Sequence, residues 1–157
     1  MITTNKITVQ FGKKPLFEEA TNASCGPCAS QNPDYNQDLH NNYGDLVSIK
    51  YQWYFPGTDP MHDDNETDAN ARVSYYGING APTYVQNGTI PPETSQAYAG
   101  WSGFLTQQVI NTLQTETTPI SMTLIHTLNN TYDSVFITCV ISNESTDEWP
   151  AGRKLHV

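Results

Sequence analysis

Cys25 and Cys28, separated by Gly26 and Pro27, are the residues whose type and spacing could do chemistry. Two cysteines at this separation can close a small disulfide ring without rearranging the backbone, and Gly26 and Pro27 supply the turn the ring needs. The following residues, Ala29 to Tyr43, read as a helix, with Gly44 as the residue that ends it. The dithiol is therefore expected at a helix N-terminus, where unpaired N–H groups and the helix dipole favour negative charge. A thiolate is such a charge, and it is the nucleophilic form of cysteine. The expected chemistry is thiol–disulfide exchange. Cys25, nearer the solvent, would attack a substrate disulfide, and Cys28, one turn inside the helix, would resolve the mixed disulfide. Two other uses of the pair stand beside this one. A zinc site needs about four ligands, and the scattered His40, His62, His126 and His156 do not pair up to supply them, so no metal is assigned. A plain structural disulfide is the other.

The elements that must position this pair follow from periodicity. Ile7, Val9 and Phe11 alternate with polar residues over Lys6–Phe11, as in a half-buried strand. Leu16–Thr21 is a second strand, leading directly into the cysteines. Pro33 should bend the helix that follows. Leu46–Trp53 is a strand, and Phe55–Met61 a loop. Asp63 or Asp64 would cap a helix running to about Tyr76 and ending at Gly77. A strand follows Pro82, and Asn87-Gly88 is a hairpin signal. A helix beginning at Ser95 or Ser102 and ending at Thr115 would bury Phe104, Leu105, Val109, Ile110 and Leu113. From Ile120 the pattern changes to strands alone. Ile120, Met122, Leu124 and His126 alternate, as do Val135, Ile137, Cys139 and Ile141, with a turn at Asn129-Asn130 and a further strand near Arg153–Val157. Cys139 on that face is expected in a core. Three strands cannot close a sandwich, so residues 118–157 are expected to be the first strands of an incomplete all-β domain, after a first domain at 1–117.

The order strand, Cys-Gly-Pro-Cys, bent helix, strand, helix, X-Pro turn, strand, hairpin, helix resembles the thioredoxin family over about Leu16 to Thr115. Cys25-Gly26-Pro27-Cys28 is identical to that family's motif, and Pro33 stands where its members bend the active-site helix. Gly77 to Thr83 is similar to the segment that holds the family's cis-proline beside the dithiol. The resemblance implies an α/β fold with a central mixed sheet flanked by helices, a cis Ala81–Pro82 bond, and substrate binding at Ala81 and Pro82. It also implies a buried carboxylate at Glu19 paired with Lys50, in support of Cys28 as proton acceptor through water. Strand alternation sends Glu18 and Glu19 to opposite faces, which leaves Glu18 as the other candidate. Two departures stand out. Ser24 occupies the position where thioredoxins carry tryptophan, and the chain is lengthened between Gln52 and Asn70. A thioredoxin-like domain followed by a β region also resembles a group of bacterial cell-envelope proteins.

A net charge of −9, with only seven Lys and Arg, argues against nucleic acid and anionic membranes as partners. No apolar run approaches the ~20 residues of a membrane span, and no signal peptide precedes Lys6. The expected activity is that of a protein-disulfide oxidoreductase; Gly-Pro between the cysteines resembles the reducing members of the thioredoxin family, which implies the reductase direction. Its partners would be protein or peptide disulfides and a donor protein, because no cofactor motif is present. The cell-envelope resemblance implies an extracytoplasmic location, and exposed edges of the C-terminal strands would allow a dimer. The alternative is a non-catalytic binding module in which the disulfide is a staple. Asp59 to Asp68 is dense in acidic side chains but has neither the central glycine nor the terminal glutamate of a calcium loop, and reads as a capped helix start.

Overall fold

The computed structural model describes residues 10–90 and 106–145. The chain is of mixed α/β type and divides into two compact units, Lys14–Gln114 and one that joins the residues up to Lys13 to those from Thr115 onward. The expected strand residues before Gln10, the buried positions Phe104 and Leu105, and the strand at 153–157 lie outside the described residues.

The first unit is built around β2 (Leu16–Thr21). This strand pairs in parallel with β3 (Val47–Gln52), Leu16 opposite Val47 and Thr21 opposite Gln52. On its other side it pairs antiparallel with β4 (Thr83–Gln86), Phe17 opposite Gln86 and Ala20 opposite Thr83. A central strand covered on both faces has no solvent side, and residues 17–21 are all buried. One face carries Phe17 into a core with Tyr35, Leu46, Tyr84, Ile110 and Leu113. Helix α1 (Gly26–Asn41) contributes Tyr35, whose ring lies 4.8 Å from that of Tyr84. Ile110 and Leu113 come from α4 (Gln107–Gln114), which starts at Thr106, whose hydroxyl accepts the Val109 N–H. The opposite face carries Ala20 into a second core with Cys25, Cys28, Trp53, Val73 and Ala81.

Between β3 and β4 lie α2 (Pro60–Asp64) and α3 (Glu66–Tyr75). Neither Asp63 nor Asp64 caps the helix that runs to Tyr75: both lie in α2, and α3 begins after Asn65, whose side chain makes no cap bond. The side-chain cap is that of α2, where Asp59 Oδ1 accepts the N–H groups of Met61 at 2.9 Å and His62 at 3.3 Å. Pro60 at the first helical position holds Asp59 in an extended conformation. Gly77 ends α3 with φ +65°, a conformation a β-carbon would oppose. Asn87 and Gly88, both with positive φ, close the hairpin at Gln86 and Thr89.

Two consecutive glutamates on β2 are fully buried, and each finds a cation. Glu18 Oε1 accepts from Arg72 Nε at 2.8 Å and from the Tyr51 hydroxyl at 3.0 Å, while Oε2 accepts from the Tyr76 hydroxyl at 2.5 Å. These bonds tie α3 and β3 to the central strand. Burial and the Glu18 charge together push the Tyr76 phenol well above its usual range.

In the second unit β1 (Phe11–Gly12) pairs antiparallel with β5 (Thr117–Thr118), and the Lys13 ammonium bonds the Glu116 carboxylate at 3.1 Å. Strands β6 (Ile120–Leu128) and β7 (Val135–Asn143) form a ribbon without a bulge. The connection is a six-residue loop rather than a two-residue turn, organised by Asn129, whose Oδ1 accepts the N–H groups of Asp133 and Ser134. The expected core face is not buried. Val135 is 52% and Ile137 61% exposed, and Cys139 and Ile141 are half-buried, because no further layer covers this ribbon among the described residues.

Removing one partner of a buried ion pair leaves the other charged and unsolvated. Replacing Arg72 with alanine should therefore lower the unfolding free energy by about 3 kcal/mol. Urea titration checks this, with Lys13→Ala as an exposed control that should change stability by less than about 1 kcal/mol.

Candidate functional site

The cysteines sit where the end of β2 turns into α1. Residues 22–24 make the turn, and the Cys25 N–H reaches the Asn22 carbonyl at 3.1 Å. Cys25 is the N-cap of α1, and Gly26 and Pro27 occupy its first two helical positions, where the missing proline N–H costs nothing. The Cys28 N–H donates to the Cys25 sulfur at 3.1 Å. A sulfur in that position replaces the hydroxyl or carboxylate usual at an N-cap, and a thiolate there accepts the same N–H while facing the positive end of the helix. Cys25 and Cys28 are joined as a disulfide, with Cα atoms 5.2 Å apart.

Ala81 and Pro82 lie at the same end of the sheet, directly before β4, whose Thr83 is opposite Ala20. The Ala81–Pro82 bond is cis, and the Ala81 carbonyl oxygen lies 3.5 Å from the Cys25 sulfur. On reduction, a Cys25 thiol has an acceptor within reach there. The Thr83 hydroxyl donates to the Gly80 carbonyl and fixes the bend that presents Ala81.

Glu19 and Lys50 are opposite each other on β2 and β3 and form an ion pair, with the Glu19 side chain wholly buried and that of Lys50 about a quarter exposed. Lys50 also stands 4.9 Å over the Tyr35 ring. Burial raises the Glu19 pKa above its ordinary value, and Lys50, Thr21 and Asn32 pull it back only in part. Asn32 lies one helical turn beyond Cys28 on α1, and its amide donates to the Thr21 hydroxyl at 3.1 Å. Glu18, the other candidate, faces away toward α3 and is spent on Arg72, Tyr51 and Tyr76.

One expectation fails. Cys25 is not the solvent-facing sulfur: it is 2% exposed and Cys28 is 1% exposed. The segment after β3 takes part in that burial, with Ala20, Val73 and Ala81. Its Trp53 shares an apolar cluster with the dithiol, and Phe55 and Ile78 pack against that cluster. The Asn22 amide donates to the Trp53 carbonyl at 2.5 Å and to the Gly57 carbonyl at 2.8 Å. The Ser24 hydroxyl donates to the Thr58 carbonyl at 2.5 Å, and Asp59 Oδ2 accepts the Ala23 N–H at 2.8 Å. The sequence reading gave neither Asn22 nor Asp59 a part in positioning the cysteines. The only local signal was Asp59-Pro60, which is a helix start by residue type.

The acidic stretch after this loop brings ligand atoms of His62, Asp63 and Glu66 within 4.8 Å of one another. His62 is buried with Nε2 3.2 Å from the Asn70 side-chain oxygen, while the two carboxylates are exposed, as on a solvated helix start. Lys50 lines an open groove of about 280 Å³ with Ile49, Gln52, Met61 and Asp68. No helix among the described residues is long and apolar enough to cross a membrane. No protein-family model matches the chain, and no curated protein matches it.

The raised Glu19 pKa has a consequence for stability. The folded protein holds this proton more tightly than the unfolded chain, so its contribution is fully present below about pH 4.5. It is lost as pH rises through the folded value. Glu19→Gln should remove that loss and flatten the stability profile above pH 4.5, measured by urea titration across pH. An unchanged slope would show that Glu19 is not the group responsible.

Proposed function

We propose that the chain is a thiol–disulfide oxidoreductase of thioredoxin-like fold, acting on protein or peptide disulfides through Cys25 and Cys28, with reduction as the favoured direction. The observation that carries this reading is the placement of the Cys25 sulfur. It caps α1 at 3.1 Å from the Cys28 N–H and stands 3.5 Å from the Ala81 carbonyl, before a cis proline. The sheet order β3-β2-β4, with the cysteines at the end of the central strand, supports the same reading.

In the reducing direction the Cys25 thiolate attacks one sulfur of a substrate disulfide. A Cys25–substrate bond forms, the substrate disulfide breaks, and the second substrate sulfur leaves as a thiolate that takes up a proton. The Cys28 thiol then loses its proton and attacks the Cys25 sulfur. The Cys25–Cys28 bond forms and the substrate sulfur that was bonded to Cys25 departs, so two electrons have moved from the protein to the substrate. A donor dithiol protein returns the pair to its reduced state. Glu19 would receive the Cys28 proton through water, a role its raised pKa suits. The acidic composition and the envelope resemblance support an extracytoplasmic setting. The exposed apolar side chains of β6 and β7 support pairing of those strands with a second chain.

One observation favours a second reading. Both sulfurs are almost completely buried in the disulfide form. A non-catalytic module, its disulfide a staple between the end of β2 and α1, would keep them so.

Insulin reduction by dithiothreitol separates the two. The wild-type chain should accelerate precipitation of the insulin B chain, and Cys25→Ser should fall to the uncatalysed rate. Equal rates for the two proteins would leave the staple as the correct account.

A further inference from the structure

The segment before the cysteines and the loop after β3 are laced together by side chains that the exchange chemistry does not use. The Asn22 amide has three partners, and they fit one orientation only. Its Nδ2 donates to the Trp53 and Gly57 carbonyls, and its Oδ1 accepts the Ser24 N–H at 2.7 Å. The Ser24 hydroxyl adds the bond to Thr58, and Asp59 holds both the Ala23 N–H and the start of α2. The approach is close: a β-carbon at Gly57 would stand 3.3 Å from that of Ser24. Asn22 is itself 3% exposed, so these are buried bonds with little competition from water. The loop so held carries Trp53, 5% exposed, and Phe55 against the cluster that contains both sulfurs.

We propose that Asn22 and Ser24 are positioning residues that decide which thiols and disulfides reach Cys25. By fixing the Trp53–Asp59 loop against the dithiol they slow the approach of every incoming thiol and disulfide, small thiols and single extended chains least and folded proteins most. This rests on the exchange reading, because it assigns that site its substrate class. The step it controls is the attack of an incoming thiolate on one sulfur of the Cys25–Cys28 disulfide. A mixed disulfide forms and the other cysteine leaves as a thiolate; the reductant's second thiolate then attacks the reductant's own bonded sulfur and releases the remaining cysteine, completing the reduction. That attack needs an open path to a sulfur, which the loop narrows most for anything bulky.

The test measures access rather than turnover. The oxidised full chain is reduced by excess dithiothreitol, and separately by reduced thioredoxin as a bulky folded dithiol. New thiols are counted after acid quenching with a mass-tagged maleimide, Cys139 giving a constant single label. The wild-type disulfide should open faster to dithiothreitol than to thioredoxin. In Asn22→Ala the dithiothreitol rate should rise about tenfold, the population change expected when the two Asn22 bonds to the loop are lost, and the thioredoxin rate should rise by more. Ser24→Ala, which removes one bond from an exposed side chain, should rise in the same order by less. Circular dichroism checks both folds, and if Asn22→Ala does not fold, Ser24→Ala decides alone. Variant rates indistinguishable from wild type with both reductants, or wild type reduced equally fast by both, would overturn the proposal. Faster variants in a chain inactive on insulin would instead overturn exchange and leave the latch standing.

Discussion

Two carboxylates in consecutive positions of a fully buried strand are the constraint on which the first unit depends. Glu18 and Glu19 must point to opposite faces of β2, because side chains alternate along a strand. An unpaired charge in either place would cost several kcal/mol, so each face must bring a cation to the sheet. Lys50 does this from the neighbouring strand, and its register opposite Glu19 fixes how β3 lies against β2. Arg72 does it from α3, helped by Tyr51 and Tyr76. The pairs act more as determinants of arrangement than as sources of net stability, since a buried ion pair returns little more than its desolvation cost.

The dithiol inherits its place from this frame. β2 is held in register on both sides, so the residues that leave its end, Asn22 to Cys25, emerge at a fixed point. Helix α1 starts there and aims its N–H groups at the Cys25 sulfur. The Glu18 network holds the last turn of α3, and from there Gly77 to Ala81 returns to the sheet and brings a carbonyl to the same sulfur. Two separated stretches of chain, Asn22–Cys28 and Gly77–Ala81, thus converge on one atom without either being long. The loop after β3 then closes over the result. Trp53 of that loop joins Ala20, Val73 and Ala81 in the cluster that covers the sulfurs, and Phe55 packs against it.

Regular structure was legible because it repeats. The strand at Leu16–Thr21, the Gly77 stop, the Asn87-Gly88 turn and the buried Ile110 and Leu113 all follow from spacing and residue type. Helix starts were less so. Asp63 and Asp64 have the right chemistry for a cap, but Asp59 has the proline beside it that sets the backbone for capping. The pairing of Glu19 with Lys50 rested on a resemblance, and the structure brings the two together. That Glu18 would find Arg72, 54 residues away, left no trace in the local pattern.

What the sequence by itself determined is the chemistry available: a two-residue-spaced cysteine pair, a proline-bearing helix to cap, alternating strands and a shortage of cations. Those are properties of residue type and short-range spacing, which the chain carries in any conformation. Only the tertiary structure decided that both sulfurs are covered, that the β7 face around Cys139 is not, and which of two adjacent glutamates meets which cation. Burial and partnership depend on what a distant segment does. Asn22 donates to carbonyls 31 and 35 residues away through main-chain atoms that every residue possesses, so no choice of side chain there announces the contact.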